Sequence, residues 1–386
     1  MCLEKYTAKF QGLSTPFYFY DVQLLNDTIN TLKQASDKYK YHIHYSLKAN
    51  SNPKILELLK DNGFGADCVS GNEIKLAINT GFSKDSIVFA GVGKTDAEIE
   101  IALQNDIFCF NCESMDEIFV INELALKNNK VASIALRINP AVDAHTHKHI
   151  NTGVDTSKFG IEKEDISMVC DNIKLLNNIN LIGLHVHIGS QITDMKVYEQ
   201  MCWVINDLNR WFRSNDIMLE HLNVGGGLGI DYRTPDNSIP DFESYFETIN
   251  KNLVVYNGQE VHFELGRSVV GQCGNLITKV LFVKENTNVR FAIVDAGFTE
   301  LIRPALYNAY HKIENLSSTD EPKVYDVVGP ICESSDFMGK EVSLPKVTRG
   351  DLLVIRSAGA YGQVMSSNYN ARELVNTYYS DQLIKE

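Results

Sequence analysis

The sequence predicts a TIM-type (β/α)8 barrel followed by a C-terminal all-β domain. Between about residue 22 and residue 264, eight short β-rich apolar runs alternate with longer helical patterns. After residue 267 the helical patterns give way to strand and turn. The glycine fingerprint of the rival open, doubly wound sheet is missing: GGGLG at 225–229 would need a glycine at 230, where Ile230 stands.

In chain order, FYFYD has strand character and precedes a helix over 22–39. The predicted barrel strands are YHIHYSL (41–47), FGAD (64–67), SIVFA (86–90), DIFCF (106–110), SIALRIN (133–139), LIGLHVHI (181–188), HLNVG (221–225) and EVHFEL (260–265). Between them lie helical stretches such as NPKILELLKD, GNEIKLAINT and SMDEIFVINELALKNN. In the last, Ile118, Ile121, Leu124 and Ala125 recur at helical spacing and Ser114 is the expected N-cap. Eight βα units in about 245 residues match a closed barrel. GNLITKVLFVKE, NVRFAIVDAG, KVYDVVGPIC and GDLLVIRSAG read as strands of the second domain. The expected division is a barrel over 21–267 and a β domain over 268–386 that the N-terminal segment 1–20 joins.

The 386 residues carry a net charge of −13, against the clustered Lys and Arg that a nucleic-acid partner requires. No run of 18 apolar residues suggests a membrane span, and no signal peptide is read at the start. The eight scattered cysteines read as reduced thiols of a cytoplasmic protein. Cys109 and Cys112 form a lone C-x-x-C, better read as two buried thiols than as a zinc or redox pair. His145, His147 and His149 alternate in a polar loop whose place after a strand suits a mobile lid over 145–160. No metal site is expected.

In such barrels the reactive groups lie at the C-terminal ends of the strands. The first predicted strand ends in Leu47-Lys48-Ala49-Asn50 and the sixth in His185-Val186-His187-Ile188-Gly189-Ser190. The seventh ends in Gly225-Gly226-Gly227, and the eighth in Glu264-Leu265-Gly266-Arg267. A lone lysine, glycine run or glutamate there is ordinarily a surface residue, a tight turn or a salt-bridge partner. A lysine, an imidazole, a glycine cradle and an acid beside an arginine, together at four strand ends, form a candidate site.

YSLKANSNPKIL, GADCVSGNE, NTGVDTSKFGI, HVHIGSQI, GGGLG, ELGR, LIRPALYNAYH, GPICESSD and AGAYG follow one another over roughly residues 12–372. This succession resembles the diaminopimelate decarboxylases, fold-type III enzymes that depend on pyridoxal 5'-phosphate (PLP). One departure is Leu265, where that family usually has proline in E-P-G-R. The resemblance implies that Lys48 holds the cofactor covalently, that Glu264 faces its pyridine nitrogen, and that His187 lies against its ring. Asp67 is then a supporting acid. Gly225, Gly226, Gly227, Ser190, Gly266 and Arg267 serve the phosphate, and Tyr361 reaches phosphate and substrate.

It further implies decarboxylation of meso-2,6-diaminopimelate to L-lysine, the last step of lysine biosynthesis by that route. Arg267, Arg303 and Tyr307 are expected to bind the distal carboxylate and Glu333 the distal ammonium. Cys332 is the expected acid that protonates Cα. Because the family's CES segment comes from a partner subunit, a homodimer with shared active sites is implied. Other readings stay open at this stage: an ornithine, arginine or carboxynorspermidine decarboxylase, a racemase, or a non-catalytic PLP carrier. An ornithine or lysine decarboxylase would leave two buried arginines without a distal carboxylate to meet.

Overall fold

The computed structural model describes residues 3–140, 158–236 and 239–383. His145, His147 and His149 lie outside the described residues. The chain divides into two compact units. One comprises residues 29–229 and 241–266; the other comprises residues 1–28, 230–240 and 267–386.

After a short helix Thr7–Gln11 comes β1 (Phe17–Tyr20). All four of its residues are buried. Alternation sends Phe17 and Phe19 into an apolar cluster with Phe10, Ile277 and Val354. The two tyrosines between carry hydroxyls that find partners, Tyr18 on the Glu300 carbonyl at 2.7 Å and Tyr20 on Gln363 at 3.1 Å. A helix Val22–Asp37 follows.

The barrel unit holds β2 (His42–Ser46), β3 (Gly65–Cys68), β4 (Ile87–Phe89) and β5 (Cys109–Cys112). β6 (Ala132–Arg137), β7 (Ile179–His185), β8 (His221–Asn223) and β9 (Glu260–Leu265) complete it. Each is parallel to the next, and β9 closes the ring on β2 with His42 opposite His262 and His44 opposite Glu264. The strands are mostly buried and so read as short apolar runs.

Three of the connecting helices open with one sequence device. Ser70, Thr95 and Ser114 each accept from the backbone N–H of the residue three places on, which is Glu73, Glu98 and Glu117 in turn. The helix expected over 114–129 spans Met115–Lys127, and Ile118, Ile121, Leu124 and Ala125 form its buried face. Strand boundaries differ most from expectation at two places. The run DIFCF supplies only the start of β5, because Asp106 turns left-handed (φ 49°) as the preceding helix ends. The run over 181–188 leaves the sheet at His185, so His187 sits in the loop beyond β7.

The other unit contains β10 (Gly274–Glu285), β11 (Arg290–Val294), β12 (Ile313–Asn315) and β13 (Pro322–Val328). β14 (Phe337–Pro345), β15 (Leu352–Ile355) and β16 (Asn376–Tyr379) follow. Its strand order is β12-β15-β10-β11-β13-β14. β1 pairs antiparallel with β10 and parallel with β16. The segment 230–240, which the sequence places inside the barrel span, groups with this unit. Its anchor is Arg356, buried just beyond β15, whose two terminal guanidinium nitrogens donate to Asp236 and one of them also to Glu314 at 2.5 Å. Among the described residues, no helix is long and apolar enough to cross a membrane.

Candidate active site

Lys48 lies on a single 3-10 turn, Leu47–Ala49, directly after β2. The β2–β3 register places Ser46 opposite Asp67. Asp67 is fully buried, and its Oδ2 accepts from Lys48 Nζ at 2.9 Å and from Ser46 Oγ at 2.7 Å. Its other oxygen, Oδ1, is buried without a hydrogen-bond partner among the described residues. The lysine side chain keeps 37% of its surface exposed, so its amine is both tethered and reachable.

Glu264 points inward from β9. Its Oε1 accepts from Asn111 on β5 and Asn223 on β8, each at 2.8 Å, and its Oε2 lies 3.0 Å from His185 Nε2 on β7. Burial by itself would raise this carboxyl, but His185, by charge and hydrogen bond, and then Lys48 hold it well below the usual carboxylate range. An ionised carboxylate offers four lone-pair directions, so three donors leave one open. Asn111 and Asn223 were not expected at the site, and His185, which stands in the sixth strand end, was passed over there in favour of His187. Their signal in the sequence is a polar residue inside an apolar strand run, which acquires meaning only once the barrel brings four strands around one acid.

The half-buried His187 ring accepts from the Gly226 N–H at 3.2 Å through Nδ1. Desolvation, then the charges of Arg137 and Lys48, push this imidazole well below its ordinary range, so it is neutral. The glycines have distinct jobs. Gly225 (φ 67°) donates to Asn223 Oδ1 at 2.9 Å, and a Cβ on Gly226 would meet the Glu264 carbonyl oxygen at 1.9 Å. Gly227 (φ 101°) is only half-buried, and its N–H has no partner among the described residues. Ser190 follows Gly189 (φ 139°) on the loop after β7, and Gly266 ends the barrel unit.

In the other unit, two buried arginines converge on Tyr232. Arg267 donates to its hydroxyl at 2.5 Å and Arg303 at 3.5 Å; Arg303 also reaches His311 at 3.4 Å. Burial would raise the Tyr232 phenol, but the two guanidiniums draw it below its usual range. Arg303 has no carboxylate partner among the described residues. The Arg267 guanidinium lies 5.0 Å from the centre of the Tyr361 ring, and that of Arg303 5.9 Å from the centre of Tyr307. Tyr232 and His311 were not singled out from sequence; both are isolated residues whose meaning is the arginine beside them. Cys332 and Glu333 are exposed, and Glu333 accepts from the Tyr369 hydroxyl at 2.7 Å.

A family model for the pyridoxal-dependent decarboxylase, pyridoxal binding domain, matches residues 23–271. Laid over a lysine after the first barrel strand and an ionised glutamate on the last, that match defines a PLP-dependent decarboxylase of fold type III. Diaminopimelate decarboxylase of Bacteroides thetaiotaomicron is 55% identical over 378 residues, covering 97% of this chain and 98% of its own. That of Aquifex aeolicus is 40% identical over 94% of this chain and 86% of its own. Among solved structures, diaminopimelate decarboxylase from Helicobacter pylori, complexed with L-lysine, superposes with a TM-score of 0.91. It is 38% identical and covers 97% of this chain and 93% of its own. The chain belongs to the diaminopimelate decarboxylase family and is a carboxy-lyase.

The residues present fit PLP. The barrel mouth holds a reachable amine on Lys48, a carboxylate with one open acceptor direction, a neutral imidazole and the N–H of Gly227, which has no partner among the described residues. This donor set matches the aldehyde, ring nitrogen, ring face and phosphate of that cofactor.

Proposed function

We propose that the chain converts meso-2,6-diaminopimelate to L-lysine and CO2, the last step of lysine biosynthesis by the diaminopimelate route. The observation that carries the substrate choice is Arg303. A buried guanidinium without a carboxylate among the described residues, hydrogen-bonded to the same phenol as Arg267, suits a substrate whose far end is a carboxylate.

Bound PLP supplies an electron sink for the charge left at Cα when CO2 departs. Lys48 holds it through Nζ, and Asp67 keeps that amine on station. Glu264, kept ionised, would hold a proton at the ring nitrogen, and His187 would pack against the ring. The Gly227 N–H, with Ser190, Gly266 and Arg267, receives the phosphate. Gly225 and Gly226 already spend their own N–H groups on Asn223 and His187, so their part is to let the backbone pass closely. Tyr361 packs on Arg267 and reaches phosphate and substrate.

Arg267, Arg303 and Tyr307 take the distal carboxylate and Glu333 the distal ammonium. Cys332 returns a proton to Cα. The exposure of Cys332 and Glu333 supports a homodimer in which each subunit lends these two residues to its partner's site. The acidic charge and free thiols support a cytoplasmic enzyme.

The test is turnover of the PLP-loaded protein on a panel of meso-diaminopimelate, ornithine, arginine and lysine, following CO2 and lysine. Lysine is expected from diaminopimelate alone; equal or faster CO2 release from ornithine would overturn the substrate assignment. Lys48→Ala is expected to abolish the cofactor's visible absorbance, whereas Cys332→Ala retains the absorbance and loses turnover.

A further inference from the structure

At the opposite, N-terminal end of the barrel a second constellation has no part in this chemistry. His42 opens β2, while Glu260 and His262 lie two residues apart on β9 and so face the same way. The register sets His42 directly opposite His262, and one ligand atom from each of the three lies within 4.8 Å of the others. The Glu260 Oε2 is 3.6 Å from His42 Nε2 and 3.8 Å from His262 Nε2. All three line a cleft of about 930 Å³.

Hydrogen bonding fixes which nitrogen of His262 is bare. His44 Nδ1 lies 2.9 Å from the Ser86 carbonyl oxygen, which can only accept, so Nδ1 carries the proton. With the single ring proton on Nδ1, the Nε2 of His44 is the acceptor for His262 Nδ1–H at 2.9 Å. The proton of His262 is thereby placed on Nδ1, and a lone pair is left on Nε2. His262 is 4% exposed, and that Nε2 is buried with no hydrogen-bond partner among the described residues. Its lone pair and the Glu260 carboxylate are both electron-rich, and side by side they repel unless a cation lies between them. An ordinary surface His–Glu pair explains the contact of His42 with Glu260 but leaves the buried nitrogen of His262 unanswered. A histidine whose second nitrogen is anchored through a hydrogen bond is the usual arrangement of a metal ligand.

We propose that His42, Glu260 and His262 bind a divalent transition-metal ion of the zinc or cobalt kind at the N-terminal mouth of the barrel. Two imidazoles and a carboxylate suit these ions, with water as a fourth ligand. Donors around tetrahedral zinc stand about 3.3 Å apart. The observed separations close to that value by small rotamer shifts of His42 and Glu260, whose side chains are 49% and 62% exposed. The ion joins the first barrel strand to the last, across the seam where the ring closes. A clip that closes so long a loop, binding only the folded chain, stabilises it.

The test titrates the PLP-loaded enzyme, stripped of metal with a chelator, with Co2+, reading the visible bands of the ion, heat of binding and Tm. One equivalent per chain is expected, with a rise in Tm. His42→Ala and Glu260→Gln should each weaken binding at least about tenfold, no less than the loss of a supporting group brings. Both variants should keep diaminopimelate turnover, so failure of this site is separable from failure of the proposed reaction. No binding at millimolar Co2+, binding unchanged in both variants, or thiolate charge-transfer bands would each overturn the assignment.

Discussion

A carboxylate stays ionised inside a barrel only where donors answer its charge, and Glu264 has three of them on three different strands. Glu264→Gln keeps the shape but loses the charge. Turnover on diaminopimelate is expected to fall about a hundredfold or more, the scale of a lost electrostatic partner in a buried site. Asn111→Ala and Asn223→Ala remove one donor each and act through Glu264; each should shift the pH dependence of kcat while the cofactor absorbance persists. The placing of Lys48, Asp67, the glycines and Glu264 at barrel strand ends was legible in the sequence because each follows or ends a strand run. Asn111 and Asn223 were not, and His185 was seen only as a strand-end residue, since all three become neighbours of Glu264 only when the ring is closed. The tautomer chain through His44 and His262 was illegible for the same reason, although H-I-H and E-V-H each show two-residue alternation.

At the scale of the element, the Ser/Thr-x-x-Glu starts explain why the helix boundaries were read more accurately than the strand boundaries. A cap is local in sequence, whereas β5 begins where a left-handed Asp106 allows it to. Ser114→Ala should cost about 1 kcal/mol, seen as a lower Tm with turnover unchanged. Glu73 couples its cap to pH. Burial raises its carboxyl to about 7, even though the Val69 N–H bond opposes the rise. The folded chain therefore holds a proton that the unfolded chain has released between about pH 4.5 and 7, so this group makes stability fall as pH rises through that window. Glu73→Gln cannot ionise and should flatten that fall, measured as Tm between pH 5 and 8.

The whole molecule is built from units that are not contiguous in sequence. The barrel and the β region were both readable from periodicity, but the return of residues 230–240 to the β unit was not. It depends on Arg356, more than a hundred residues away in sequence. Arg356→Ala should destabilise by about 3 kcal/mol, the lower end for a broken buried pair, because Asp236 and Glu314 are partly exposed and rehydrate. The proposed sharing of sites between subunits has a sharp consequence. Lys48→Ala and Cys332→Ala protein, each inactive, should on unfolding and refolding together regain about a quarter of wild-type activity. Half of the dimers are then mixed, and each carries one intact site. Recovery of no activity would place both residues in the same subunit's site.

β1 is held between β10 and β16. On the ribosome the first strand of the sheet is therefore made long before either of its neighbours. Every barrel strand has been synthesised before the first of those neighbours is begun, and the second arrives with almost the last residues of the chain. The aromatic run FYFY must wait through most of translation, until β10 is made, as an unpaired apolar edge. Nascent chains halted after Leu265 are thus the form of this protein most in need of a chaperone.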